Sequence, residues 1–180
     1  SYTVAEFADL LSAGNLRPAA FLEPARYEPA TYLAEPQLLQ PLAEADLVAR
    51  AGFAERLTGN IKKHIVSAVP TGACDPVAAF DTGAVPHLPG LDGAALAKGL
   101  GSGSPRLTAT FDGIKLSFAL PRLSGPILRQ IDGQRTWEEI AGTIQASDRS
   151  LDADAVHRQA QQVYRVFNGL NKMLLSRPHR

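Results

Sequence analysis

The chain has 180 residues, 45% hydrophobic and 20% charged, with zero formal net charge. That composition fits an ordinary globular protein of one large domain or two small ones. It contains no apolar run near the roughly 20 residues needed to span a bilayer, so no membrane partner is expected. The single cysteine, Cys74, excludes an internal disulfide and a multi-cysteine zinc site, and it fits a reducing, cytoplasmic setting. The opening Ser1-Tyr2-Thr3 is not a basic stretch followed by an apolar core, so no signal peptide is expected. Residues 1–104 hold 7 basic and 11 acidic side chains, and residues 105–180 hold 11 basic and 7 acidic. Opposite-signed halves suggest two units that attract each other. Neither half has the strongly basic footprint of a nucleic-acid binder.

Tyr2 to Gly14 reads as one short helix. Thr3 and Glu6 have the spacing of a capping box. Phe7, Leu10 and Leu11 fall on one face, and Gly14 supplies a C-terminal stop. Leu16–Leu22 lacks helical periodicity and reads as a strand, and Pro18 places it at a sheet edge. Pro24, Pro29 and Pro36 then frame a fixed, extended connection around Tyr27 and Tyr32. Helical patterns resume from Pro36, with Leu38, Leu39, Leu42, Leu47, Val48, Phe53, Leu57 and Ile61 as the expected buried set and Gly52 as the expected break. A second apolar strand covers Ile65–Val69, and Pro70–Pro76 reads as a loop.

A short helix is expected over Gly93–Leu100. The clearest hairpin signal follows: Leu107–Phe111 and Ile114–Phe118 flank Asp112-Gly113, a pair that favours the tight turn between antiparallel strands. Helices are then expected at Gly125–Ile131, Thr136–Gln145 and Asp152–Leu174. The last carries Val156, Ala160, Val163, Tyr164, Phe167, Leu170 and Leu174 on one face.

Few residues carry chemistry. Gly99-Leu100-Gly101-Ser102-Gly103 has a helix before it and a strand after it, the reverse of a phosphate-binding loop. It reads as a flexible helix exit. His64, at the mouth of an apolar strand, is either a substrate-facing base or anion contact, or a partly buried structural histidine. Arg26, Tyr27 and Tyr32 either line a substrate pocket or pin the connector to the core. Arg26, Tyr27, Tyr32 and His64 are the substrate-binding candidates, and no catalytic or cofactor-binding residue is assigned. Trp137 is expected in the core. His87, His157 and Cys74 lack metal-ligand spacing, so no metal site is expected.

Two stretches carry a resemblance. Tyr2-Thr3-Val4, Phe21-Leu22-Glu23-Pro24-Ala25-Arg26-Tyr27 and Leu57-Thr58-Gly59-Asn60-Ile61-Lys62-Lys63-His64 resemble the tail of a class I S-adenosylmethionine-dependent methyltransferase. The resemblance implies a last helix and then two strands paired antiparallel at the sheet edge, with residues 28–61 as a helical insertion. The family's glycine-rich cofactor loop and ribose-binding acidic residue have no counterpart here. S-adenosylmethionine is therefore implied only for a larger enzyme. The hairpin together with Pro126–Ile140 and the long helix is similar to the winged-helix-like module of PqqD-type peptide-recognition domains. A similar regulatory extension follows the catalytic domain in some bacterial methyltransferases.

The expected chain is α+β, mostly helical with two β-ribbons, its C-terminal unit winged-helix-like. Residues 1–70 form the methyltransferase-like tail, 71–84 a linker and 85–180 an accessory domain. The expected function is a non-catalytic accessory region that positions substrate, regulates, or holds subunits together. It would serve a catalytic domain, in cis or in trans, that is missing here, and the chain should not be active by itself. The alternative is a peptide- or protein-binding module that adds a strand to the hairpin edge. Nucleic-acid binding ranks last, because Thr136–Gln145 offers Glu138 and Glu139 and no cation. Bare strand edges pair with other chains, which makes a homodimer the expected state.

Overall fold

The first helix, α1 (Val4–Ala13), begins as its sequence dictates. The Thr3 hydroxyl accepts from the Glu6 N–H, and the Glu6 carboxylate accepts from the Thr3 N–H. In the computed structural model, which describes residues 2–100 and 105–177, this is the entry to an α+β chain of helices and short antiparallel ribbons. The chain divides into two compact units: Ser1–Val77 with Thr110–Leu116, and Ala78–Ala109 with Ser117–Arg180. No helix among the described residues is long and apolar enough to cross a membrane.

In the first unit, α1 buries Val4 completely, whereas Leu10, expected inside, is 53% exposed. Gly14 caps the helix without left-handed backbone. Its neighbour Asn15 takes that conformation instead, at φ 57°. Asparagine tolerates this region because its short polar side chain bonds locally. Strand β1 (Leu16–Phe21) follows, then 3-10 turns at Pro24–Tyr27 and Pro29–Thr31, then helices α2 (Pro36–Ala43) and α3 (Leu47–Thr58). The helical stretch breaks before Asp46, which caps α3 by accepting from the Ala49 N–H. Gly52, the expected break, lies buried inside α3, and Ala51, Gly52 and Ala54 form its buried face. Leu38 and Leu57 are exposed. Small residues let α3 approach the 3-10 turns and β1, a constraint that apolar periodicity does not reveal.

Strand β2 (Val66–Pro70) pairs antiparallel with β1, Arg17 opposite Val69 and Phe21 opposite Val66, with a bulge between Pro18 and Ala20. The Leu22 N–H bonds the Ile65 carbonyl at one end, and the Thr71 N–H bonds the Asn15 carbonyl at the other. Counting from those bonds in alternation, Pro18 turns its nitrogen away from β2, where no donor is needed. The core of this unit is Val4, Phe21, Tyr27 and Ala51.

The second unit opens with strand β3 (Val85–His87) and helix α4 (Gly93–Gly99). A Cβ on Gly93 would stand 2.1 Å from the Leu128 carbonyl oxygen, so only glycine lets the two backbones meet there. Hairpin strands β4 (Arg106–Phe111) and β5 (Ile114–Ala119), whose tip Thr110–Leu116 belongs to the first unit, turn through Asp112 and Gly113, at φ 45° and 91°. Both residues are left-handed, as a two-residue hairpin turn requires. Of the Gly99–Gly103 run, Gly101 to Gly103 lie outside the described residues. Helices α5 (Ser124–Gln130), α6 (Trp137–Ser147) and α7 (Ala153–Gly169) surround one large core. It holds Trp137, Ile127, Leu128, Ile140, Val163 and Phe167, each no more than 1% exposed.

Residues 78–84, expected in the linker, join this unit. The Ala84 and Thr82 carbonyls accept from the N–H groups of Trp137 and Glu138, and the Phe80 ring lies 5.5 Å from that of Trp137. Helix α7 stops at Gly169, before the expected Leu174. Asn171 turns left-handed at φ 55°, and the Lys172 N–H returns to the Phe167 carbonyl. The freed segment forms β6 (Leu174–Ser176), which pairs antiparallel with β3. This third ribbon replaces the expectation of two. Three-residue strands so far apart in sequence leave no periodic signal.

Candidate functional site

The proline-framed connector carries Tyr27 into the core of the first unit. Its ring lies 4.3 Å from Phe21, centroid to centroid, on the connector side of β1. The approach to β2 brings His64 alongside, with the Tyr27 hydroxyl 3.2 Å from Nδ1. On the other side of the ring, Nε2 lies 3.0 Å from Glu55 Oε1 and 3.1 Å from the Tyr2 carbonyl oxygen. A carboxylate and a backbone carbonyl only accept, so Nε2 carries the proton and donates. In the neutral ring Nδ1 then accepts from the Tyr27 O–H. In the charged ring Nδ1 donates instead, and Tyr27 turns its proton to the Lys63 carbonyl at 3.4 Å.

Glu55 completes the chain of bonds. One carboxylate oxygen receives His64, and the other accepts from the Val4 N–H at 2.9 Å, in the first turn of α1. His64 and Glu55 keep side-chain exposures of only 8% and 17%. Phe7 of α1 stacks on the imidazole at 6.4 Å and 24°. Burial pushes the Tyr27 hydroxyl up to about 12, against a smaller opposing pull from Arg26. It is therefore a neutral donor at ordinary pH and does not act as a base.

Arg26 and Tyr32 form a second group in the same unit. The Arg26 guanidinium donates to Glu23 Oε2 at 3.0 Å and to the Asp112 carboxylate, and lies 5.8 Å from the centre of the Phe111 ring. The Tyr32 hydroxyl donates to the Arg26 carbonyl at 3.0 Å. Burial raises the Tyr32 hydroxyl as well, its largest influence. Glu23 holds left-handed backbone at φ 55°, the sharp corner that swings the connector off β1.

No protein-family model matches this chain. No curated protein matches it either. The geometry alone therefore assigns roles. The structure brings His64 onto Tyr27, and Tyr32 onto Arg26. Sequence reasoning missed Glu55, Glu23 and Asp112. Glu55 left one signal: it sits in the last turn of α3, where a carboxylate faces the negative end of the helix dipole and needs a tertiary partner. Among the described residues, no group of three or more His, Cys, Asp or Glu side chains is placed to hold a metal ion.

Proposed function

We propose that this chain is a non-catalytic accessory region that works with an S-adenosylmethionine-dependent methyltransferase catalytic domain, carried in the same polypeptide or in another. The observation that carries this reading is the antiparallel β1–β2 pair and its free edge. Pro18 interrupts the outer edge of β1. On the outer edge of β2, Val66 and Ala68 have no other backbone partner among the described residues. A neighbouring strand of a larger sheet would therefore join at β2. Tyr27, His64 and Glu55 supply rigidity rather than chemistry, because their donors and acceptors are already engaged with one another and with the backbone. Arg26, Tyr27, Tyr32 and His64 thus hold the connector and β2 in register for that neighbour. The described residues offer no glycine-rich turn from strand to helix, so no S-adenosylmethionine contact is assigned to this chain.

Two measurements test the reading. Calorimetric titration with S-adenosylmethionine and S-adenosylhomocysteine should give no binding heat, and micromolar binding of either would overturn it. The tagged chain, mixed with lysate of its source cells, should carry S-adenosylmethionine-binding activity onto a resin. Ala68→Pro removes one N–H from the free edge of β2 and should abolish that capture. Equal capture by the variant would sink the proposed docking edge.

A further inference from the structure

We draw no further inference here: the strongest candidate, the surface patch that Leu22 and Ile65 form where they pair just beyond β1 and before β2, is apolar and 41% and 44% exposed, but nothing in the structure shows what covers it.

Discussion

The two units are held together by different means. The first packs a small core, Val4, Phe21, Tyr27 and Ala51, and ties it with a buried polar chain through Glu55, His64 and Tyr27. The second packs sixteen buried residues into one cluster and uses polar groups mainly at its helix starts. Apolar burial scales with area and has no direction, whereas a hydrogen-bonded chain fixes orientation but costs heavily if one member is removed. The first unit should therefore fail through loss of a polar partner, and the second through a void.

The largest effect should come from the second unit. Phe167→Ala empties a position that is 1% exposed and should cost about 3–5 kcal/mol. Trp137, the only tryptophan, lies in that unit, so the denaturant midpoint of its fluorescence reads this loss directly. An unchanged midpoint would dissolve the contrast. Next, Glu55→Ala strands the N–H of buried Val4 and removes one acceptor of His64. It should cost roughly 2 kcal/mol, read in near-ultraviolet tyrosine dichroism while the tryptophan transition stays in place. If the tryptophan transition moves equally, the two units do not fail separately.

Tyr27→Phe should have the smallest effect, about 1 kcal/mol at neutral pH, and it sharpens the comparison through alkali. The folded hydroxyl is raised to about 12 from an ordinary 10. Its contribution is therefore whole below pH 10 and is lost as pH climbs from 10 to 12, because the unfolded chain ionises first. Stability of the first unit should fall across that window, and the variant should flatten the fall. Tyr32 is raised in the same direction, so some slope remains. An identical alkaline profile in the variant would remove Tyr27 from this role.

The sequence exposed what is local and hid what is not. The capping box of Thr3 with Glu6 rests on residues three apart and appears where its spacing puts it. So does the Asp112-Gly113 turn, because two residues alone decide its backbone. Sequence reasoning missed a second box, Thr136 with Glu139 at the start of α6. The stripe from Val156 to Leu170 is buried throughout, since a long amphipathic period survives any detail of its neighbours, whereas Leu174, expected on the same face, lies past the end of α7 and is 47% exposed. The α2–α3 stretch misled, because leucines at helical spacing look buried when alanine and glycine form the true contact face. Of the polar chain, His64 and Tyr27 drew attention as types, but their meeting across 37 residues has no sequence period. The β3–β6 ribbon is invisible for the same reason.

That ribbon also sets an order of events during synthesis. His87 and Ser176 lie 89 residues apart, and at bacterial-to-eukaryotic elongation rates that distance takes about 4–18 s to translate. Over that interval β3 has been made and its partner has not. The helices between them can form and pack meanwhile, since their contacts are nearer in sequence. The last strand then closes a nearly finished unit, a latch rather than a nucleus.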